Sequence, residues 1–257
     1  MVCPTATCWT CTISGLPDHE GRPSDGPGPE GPEALPGSTD EAGPTEWVVG
    51  EQVGVGPWAQ VHPGESADDP RFDPELLTGG DRRNVVDAYR YWRREAIVED
   101  IDARRHPMHV GIENLGYDYN IGTVVRTANA FAVGAVHIIG RRRWNRRGAM
   151  VTDRYQQLHH HPTIADLVAF ADDAGLSIVG VDNTAGSVPL ETASLPRNAL
   201  LLFGSEADGL SSAARAAAAL TVSIAQFGST RSINAGVAAG IAMHAWIRQH
   251  ADLDRAW

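Results

Sequence analysis

Residues 199–211 read ALLLFGSEADGLS, an apolar run that ends in a glycine-containing turn. A short, uninterrupted apolar run bounded by turn residues is typical of a strand that is buried on both faces. Gly204 follows this strand, and Gly209 leads to Ser211, which can cap a helix. Ligands of open α/β sheets bind beyond the carboxyl ends of strands, where glycine lets the backbone approach them closely. The segment indicates either a ligand-binding turn or a turn that needs glycine for its backbone shape alone.

The chain around this segment alternates short apolar runs with helical patterns, which predicts an α/β fold with a mainly parallel sheet flanked by helices. The predicted strands are Met108–Glu113, Ala135–Ile139, Ser177–Val181, Ala199–Phe203 and Thr221–Ile224. The predicted helices are Ile121–Phe131, Thr163–Ala174, Ser211–Ala219 and Ser232–Arg248. Apolar residues at helical spacing predict one further helix over Arg82–Arg104, whose arginines could contact a polyanion or whose apolar side could pack on the core.

The beginning of the chain is acidic and rich in proline. Residues 1–80 hold 12 of the 16 prolines and carry two Arg against fourteen Asp and Glu, a net charge of −12 in a chain whose total is −11. Such a composition buries too little apolar surface to offset the entropy lost on ordering. We therefore expect a disordered tail over residues 1–70, a helical extension over 71–106, one large domain over 107–250 and a short tail over 251–257.

Metal sites and membrane spans are not expected. The three cysteines lie before residue 12 and lack the second pair, or the histidine, that a tetrahedral metal site needs. The successive residues His159, His160 and His161 diverge in direction, so they are interpreted as a polar loop and not as one metal site. No apolar run approaches the ~18 residues of a membrane span, and no secretory signal is visible. A domain without cysteine fits a cytoplasmic location.

Residues 120–131 read NIGTVVRTANAF and form a second informative segment. An apolar stripe at helical spacing should face the sheet, and it consists of Ile121, Val124, Val125 and Ala128. Asn120 stands where a helix N-cap belongs. Gly122 lies one turn before Arg126, and because glycine costs a helix about 1 kcal/mol, something should approach the helix closely there. An ordinary capped helix with a solvated arginine is the alternative.

Residues 223–241 read SIAQFGSTRSINAGVAAGI, a strand end followed by a polar loop and a helix of small residues. Gly236 and Gly240 each cost about 1 kcal/mol of helix propensity, which predicts tight packing against this helix. Ser232 and Asn234 can cap the helix. They can equally orient a ribose or a phosphate beside its positive end.

Residues 141–148 read RRRWNRRG and directly follow the second predicted strand. All 21 basic residues of the chain are arginines, so clustering, and not residue type, carries the argument here. The cluster offers phosphate contacts and a stacking surface for an unpaired RNA base. The candidate RNA-binding residues are Arg141, Arg142, Arg143, Trp144, Arg146 and Arg147. A solvated loop is the alternative.

Three short segments, Asn120–Arg126, Gly204–Leu210 and Ser232–Asn234, together resemble the three motifs of the SpoU branch of the SPOUT RNA methyltransferases. The resemblance covers about residues 108–250. It implies a C-terminal deep trefoil knot, although knots are otherwise nearly absent from proteins. It also implies a homodimer in which the partner chain completes each active site.

The resemblance further implies methyl transfer from S-adenosylmethionine to a ribose 2′-hydroxyl of tRNA or rRNA. It assigns cofactor contacts to Gly204, Ile224 and Ile233. The polar site residues that it assigns are Arg126, Asn120, Glu206, Ser232 and Asn234. The family gives the arginine the role of a base, but a guanidinium does not titrate in proteins, so a phosphate clamp is the physical alternative. A non-catalytic RNA-binding dimer of the same fold is the second hypothesis, and a dinucleotide-dependent oxidoreductase is disfavoured because the G-x-G-x-x-G pattern is absent.

Overall fold

The computed structural model describes residues 54–115, 120–205 and 208–255. Its strands are β1 (His109–Asn114), β2 (Val136–Gly140), β3 (Leu158–His161), β4 (Ser177–Val181), β5 (Val188–Pro189), β6 (Ala199–Phe203) and β7 (Leu220–Ser223). Its α-helices are α1 (Trp58–Val61), α2 (Pro74–Gly79), α3 (Arg94–Asp102), α4 (Ile121–Ala130), α5 (Ile164–Asp173), α6 (Ser212–Ala217) and α7 (Ala235–His250). Short 3₁₀ turns occupy Asp87–Tyr89, Arg146–Ala149, Thr152–Arg154 and Leu253–Arg255.

The seven described strands form one sheet in the order β3-β2-β1-β6-β4-β7-β5, and every neighbouring pair is parallel. The predicted α/β fold with a mainly parallel sheet is therefore confirmed. Each of the five predicted strands is present, with ends that differ from the prediction by no more than one residue. Buried parallel strands are continuous apolar runs, which is why their positions could be read from the sequence.

Two helical layers cover the sheet, and the alternation of side chains along β6 shows this directly. Leu201 and Phe203 are buried with residues of α4 and α7 on one face. Leu200 and Leu202 are buried with residues of α5 and α6 on the other face. Each fully buried leucine contributes about 1.5 to 3 kcal/mol relative to exposure, so both layers are held firmly to the sheet. No α-helix within the described ranges is long and apolar enough to cross a membrane.

Helix α4 is in backbone contact with the loop that follows β2. A Cβ atom on Gly122 would lie 2.7 Å from the backbone nitrogen of Ala149 and 2.7 Å from the Cα of Gly148. The close approach that the sequence predicts at Gly122 is thus confirmed. The approaching group is the loop after β2.

Helices α4 and α7 pack side by side through small residues. A Cβ on Gly236 would lie 3.1 Å from Cγ2 of Thr123, and one on Gly240 would lie 3.8 Å from Cγ2 of Thr127. Because both contacts advance by one turn in the same direction, the two helices run parallel and begin at the same edge of the sheet. The tight contact predicted at Gly240 is not made within the described chain, where the spacing is that of ordinary packing.

The predicted helix Arg82–Arg104 is wrong over its first half. Only Arg94–Asp102 is α-helical, and Tyr91 has a left-handed φ of 64° that a helix cannot contain. The cause is Asp81, a fully buried carboxylate that accepts from the backbone nitrogens of Arg83 (2.9 Å) and Tyr91 (3.0 Å). An irregular loop satisfies this carboxylate. The apolar residues that suggested a helix still form a small core, in which Ile97 and other side chains pack with Tyr155.

Residues 54–70 hold defined structure, whereas the sequence predicts disorder up to residue 70. Val55 and Asp81 exchange two backbone hydrogen bonds of 2.9 Å, and the ring of Trp58 meets that of Tyr91 edge-on at 5.3 Å. Composition averaged over a long acidic stretch concealed this aromatic contact. Residues 1–53 lie outside the described residues, so the tail stays a prediction for them.

The histidines predicted as a polar loop form an edge strand, β3, beside β2. His137 of β2 is fully buried and sits in a chain of imidazoles: its Nε2 lies 2.9 Å from Nδ1 of His109, and its Nδ1 lies 2.8 Å from Nε2 of His161. Phe170 of α5 covers this chain, with its ring 4.8 Å from that of His137. Imidazoles that satisfy one another's hydrogen bonds let a polar sequence occupy a sheet position. Among the described residues no group of His, Cys, Asp or Glu is arranged to hold a metal ion.

The knot that the resemblance implies stays a prediction. The chain after β7 does return to the beginning of α4 before it forms α7, as the contact between Asn234 and Asn120 shows. At the other end of α7, the side-chain oxygen of Gln249 accepts from the backbone nitrogen of Leu195 at 2.9 Å. These contacts fix both ends of α7 against earlier parts of the chain.

Acid should destabilise the protein through the imidazole chain. Burial, together with the neighbouring histidines, lowers the pKa of His137 to about 2 and that of His109 to about 4, from an ordinary 6.5. Between these values and 6.5 the unfolded chain binds more protons than the folded one, so the stability contributed by the neutral histidines is complete above pH 6.5 and is lost as the pH falls below it. Each one contributes a slope of up to about 1.4 kcal/mol per pH unit there.

The measurement is the thermal midpoint of unfolding between pH 7.5 and 5. His137→Phe keeps a flat ring and removes one titrating group, so its midpoint should fall less steeply with acid than that of the wild type. His244→Gln, at an exposed position of α7, is the matched control and should retain the wild-type slope. An undiminished slope in His137→Phe would contradict the assignment.

The pair Gly122→Ala and Gly240→Ala tests the packing of α4, since each adds one methyl group to a helix. The alanine at 122 meets backbone atoms, so we expect a net loss of about 1 to 3 kcal/mol from overpacking. The alanine at 240 has room, so we expect no loss and up to about 1 kcal/mol of gain from helix propensity. Urea unfolding followed by circular dichroism measures both. Equal destabilisation would show that the spaces around the two glycines do not differ as described.

Candidate active site

Two of the three motif segments meet at the carboxyl edge of the sheet. Nδ2 of Asn234 donates to Oδ1 of Asn120 at 2.8 Å, which joins the loop before α7 to the residue before α4. The sequence placed Asn120 at an N-cap, yet its side chain makes no capping bond. Asn234 is the residue that caps, since its Oδ1 accepts from the backbone nitrogens of Gly236 (3.0 Å) and Val237 (3.2 Å). The asparagine pair therefore ties the two helix starts together.

The parallel packing of α4 and α7 gives this edge a positive electrostatic character. The first backbone N–H groups of a helix have no partner within the helix, and the helix dipole adds partial positive charge at that end. Here two such ends lie side by side, at Ile121 and Ala235. Asn234 already caps two N–H groups of α7, so the positive character of that end comes mainly from the helix dipole, which favours a phosphate or another anion nearby.

Arg126 lies on α4, about one and a half helical turns from its start, and its side chain is exposed. Within the described part of the chain its guanidinium makes no ion pair or hydrogen bond. Thr123 and Thr127, its neighbours on the helix surface, contact α7. The guanidinium is thus exposed to solvent, and no described residue occupies its donors.

The segment after β6 folds into a tight turn. Ser205 and Gly209 exchange two backbone hydrogen bonds of 3.0 Å. A side chain on Gly204 would overlap the backbone of Gly209, which itself has a φ of +67°. Both glycines are therefore required by the shape of the turn, which was the plainer of the two interpretations of this segment. Glu206 lies outside the described residues, so its assigned role stays a prediction.

Asp182, which the sequence analysis did not single out, holds this turn from the neighbouring strand. It follows β4, and its Oδ2 accepts from the backbone nitrogen of Leu210 at 3.0 Å. A Cβ on Gly209 would lie 2.8 Å from the same oxygen. An acid directly after a buried strand was the available signal, but a single acid forms no motif.

The loop between β7 and α7 carries the remaining assigned residues. Ile224 and Ile233 are half-buried, and Ile224 packs against the core. Ser232 is exposed and does not cap α7, since the helix begins later, at Ala235. Gln226 offers a buried Oε1 that has no hydrogen-bond partner among the described residues.

These features fit S-adenosylmethionine. The buried Oε1 of Gln226 is an acceptor that needs a donor, and both the adenine amine and the amino-acid ammonium of the cofactor are donors. Ile224, two residues away, supplies an apolar surface of the kind that an adenine ring needs. The residues of this loop could therefore hold the cofactor beside the asparagine pair.

Residues 141–148, here called the arginine-rich loop, follow β2 and therefore begin at the same edge of the sheet. Arg142, Arg143 and Arg147 are exposed and make no ion pair with any described residue. Trp144 is half-buried against the core, and the guanidinium of Arg146 lies 5.5 Å from its ring centroid. The structure thus leaves less of Trp144 for base stacking than the sequence suggests, because part of the ring anchors the loop.

Charge is arranged differently in the N-terminal extension. There most arginines are neutralised by nearby acids, in the pairs Arg71–Asp69, Arg83–Asp81, Arg90–Asp87, Arg94–Glu95, Arg104–Asp100 and Arg105–Asp102. In the loop after β2, only Arg146 forms an ion pair with a described residue, at 3.1 Å from Asp153. The loop, which contacts α4 at Gly148, therefore carries arginines that have no carboxylate partner among the described residues.

Known proteins are similar to this chain in sequence and fold. The tRNA (guanosine(18)-2′-O)-methyltransferase of Escherichia coli (strain K12) is 28% identical over 160 residues, 61% of this chain and 70% of that protein. The SpoU methyltransferase AviRb from Streptomyces viridochromogenes, solved with the cofactor AdoMet, is 26% identical with a TM-score of 0.51, over 58% of this chain and 60% of that chain. The A. aeolicus TrmH/SpoU tRNA modifying enzyme shares the fold, with a TM-score of 0.55 at 21% identity over 61% of this chain and 82% of that chain.

A profile of the SpoU rRNA Methylase family matches residues 107–244. This segment is more than half of the chain, and it contains the sheet, the asparagine pair and Arg126. The extension over residues 54–106 lies outside the matched part. The chain belongs to the SpoU rRNA Methylase family.

Proposed function

We propose that this protein transfers the methyl group of S-adenosylmethionine to a ribose 2′-hydroxyl of tRNA or rRNA. The observation that supports this most is that Arg126 is exposed on α4, the helix whose start Asn120 and Asn234 tie to the start of α7. An exposed guanidinium beside two positive helix ends suits a phosphodiester. A ribose next to that phosphate would lie beside the cofactor loop that contains Gln226.

When bound, S-adenosylmethionine supplies an electrophilic methyl group on its sulfonium. The residues of the chain bind and orient the other reactant. Arg126 would hold the phosphate through two parallel N–H donors, which fixes the adjoining ribose. Asn234 and Ser232 would orient the ribose hydroxyls, and Glu206, which lies outside the described residues, would act on the turn that contains Gly204. Gly204, Ile224 and Ile233 would contact the cofactor.

The proton of the 2′-hydroxyl must leave as the oxygen attacks the methyl carbon. Arg126 is a poor acceptor for it because a guanidinium stays protonated in proteins. Two helix ends and a guanidinium would instead stabilise the negative charge that develops on the oxygen. The proton would then pass to a phosphate oxygen or to water, and Arg126 acts as a clamp.

The arginine-rich loop would capture the RNA. Arg142, Arg143 and Arg147 are exposed without described ion-pair partners, so their donors can reach phosphates. Such contacts supply affinity that depends steeply on salt and only weakly on sequence. The proposed RNA-binding set also includes Arg141, Trp144 and Arg146. Trp144 and Arg146 would contribute mainly by fixing the position of the loop.

A homodimer is part of the proposal. Val237 and Ile241 lie one turn apart on α7, and they are 54% and 40% exposed, an apolar pair beside the proposed site. A second copy that covers them would bring its own loops next to Arg126. An enzyme acting on tRNA or rRNA would work in the cytoplasm.

A non-catalytic RNA-binding dimer is the second hypothesis for the same fold. The joint presence of Arg126, Ser232 and Asn234 favours the enzyme, because a chain that only binds RNA need not keep all of these motif residues. Methyl transfer to RNA is the property that separates the two.

Arg126→Ala should abolish transfer while S-adenosylmethionine still binds. The expected loss is at least about a hundredfold in transfer rate, since the variant removes both a bidentate contact and charge stabilisation. The assay follows labelled methyl incorporation into unmodified tRNA and rRNA transcripts, and calorimetry measures cofactor affinity. Arg248→Ala, an exposed arginine near the far end of α7, is the matched control and should keep full activity. Equal loss of cofactor binding in Arg126→Ala would refute the clamp, and a wild type without any transfer would favour the second hypothesis.

The double variant Arg142→Ala with Arg147→Ala should weaken RNA binding and flatten its salt dependence. Each lost phosphate contact lowers the slope of log affinity against log salt by about 0.7 to 0.9. Filter binding of a tRNA transcript at about 50 to 300 mM salt, a range that includes physiological ionic strength, measures this slope. Arg94→Ala, an ion-paired residue of the extension, is the control and should leave the slope unchanged. An unchanged slope in the double variant would exclude this loop from RNA binding.

A further inference from the structure

The end of β1 lies between the two loops that the proposed function needs. β1 pairs with β2, which leads into the arginine-rich loop, and with β6, which leads into the turn after Gly204. Its last residues are Glu113 and Asn114, which are 4% and 2% exposed. Successive side chains of a strand point to opposite faces, so the two polar groups leave β1 on different sides of the sheet.

Asn114 binds the arginine-rich loop. Its Nδ2 donates to the carbonyl oxygens of Arg141 (2.7 Å) and Arg143 (3.0 Å), and its own carbonyl accepts from the backbone nitrogen of Arg141 (3.1 Å). Gly140, with a φ of +96°, turns the chain into this position. Three hydrogen bonds from one buried residue therefore fix the first turn of the loop.

The orientation of the Asn114 amide follows from these partners. Both carbonyl oxygens are acceptors, so only the NH₂ group can face them. Oδ1 then points the other way, and it is buried without a hydrogen-bond partner among the described residues. An aspartate has the same shape but no donor, and it would place an oxygen against two oxygens.

Glu113 binds the turn between β6 and α6, on the side of β1 away from the arginine-rich loop. Its Oε2 accepts from the backbone nitrogen of Ser211 at 2.8 Å, and Ser211 caps α6 by accepting from Ala214 at 3.1 Å. Asp182, which follows β4 on the other side of β6, accepts from the backbone nitrogen of the preceding residue, Leu210. The turn between β6 and α6 is thus fixed by carboxylates from both neighbouring strands.

We propose that Glu113 and Asn114 are positioning residues with separate roles: Asn114 places the loop that captures RNA, and Glu113 places the turn on the cofactor side. This inference rests on the proposed function for the identity of the two ligands. Because the two side chains act on different loops, their loss should affect different binding steps. A general structural role would instead weaken both steps together.

Asn114→Asp is the test for the RNA side. It removes two partly buried hydrogen bonds, so the dissociation constant and the KM for an unmodified tRNA transcript should rise about tenfold. The dissociation constant for S-adenosylmethionine and the kcat at saturating RNA should stay at the wild-type level. If the aspartate variant does not fold, Asn114→Ala removes the same donors without adding a charge and should give the same split.

Glu113→Ala is the test for the cofactor side. The dissociation constant for S-adenosylmethionine should rise about tenfold, with tRNA affinity unchanged. Glu113→Gln keeps an oxygen that can accept from Ser211, so it should restore cofactor affinity towards the wild-type value. A glutamine variant as weak as the alanine variant would exclude this hydrogen bond as the cause.

Hydrogen exchange gives a readout that needs no ligand. Asn114→Asp should speed exchange of the amides in residues 141–150 and leave residues 208–215 unchanged, and Glu113→Ala should do the reverse. Faster exchange in both regions for either variant, or equal loss of both affinities, would overturn the proposal. A wild type that binds neither S-adenosylmethionine nor tRNA would refute the proposed function, while the exchange pattern would still decide between separate and general roles.

Discussion

The parallel direction of all described strands is the constraint on which the site depends. Parallel strands end at the same edge, so the loops after β1, β2, β6 and β7 have to meet there. Helices α4 and α7 follow two of these loops, so their starts come together at this edge. The bond between Asn120 and Asn234 is then possible without any bend in either helix. An antiparallel pair in this position would have placed one motif at the opposite edge.

Ion pairing decides which arginines have a guanidinium available to bind RNA phosphates. The extension over residues 54–106 has eight arginines and residues 141–148 have five, yet nearby carboxylates form ion pairs with six of the eight. A guanidinium that already binds a carboxylate must give up that contact before it can bind a phosphate, which reduces the gain. Arg142, Arg143 and Arg147 have no carboxylate contact to give up among the described residues, so binding a phosphate costs them no ion pair. Net charge per segment would have missed this difference.

The parts of the fold that could be predicted from the sequence are those with one strong local pattern. Buried strands are apolar runs, and the motif order indicates the family. β3 was missed because its histidines look polar, and the contacts that hold them in the sheet, such as that of His161 with His137, join residues distant in sequence. The long N-terminal helix was wrong because the spacing of its apolar residues suits a loop equally well, and the deciding group, Asp81, lies outside the pattern. The partnership of Asn120 and Asn234 spans 114 residues, so no local signal contains it.

The role of Arg126 follows from the permanent charge of its guanidinium and from the two helix starts at the same edge of the sheet. Two helix starts bring partial positive charge to this edge, and a further permanent cation makes any nearby anion easier to form. A guanidinium keeps its proton in proteins, so it cannot accept the proton of the 2′-hydroxyl. The positive field favours both a bound phosphate and a developing alkoxide, which suits a clamp. A site built to stabilise the oxygen's charge does not need a group with a pKa matched to the 2′-hydroxyl.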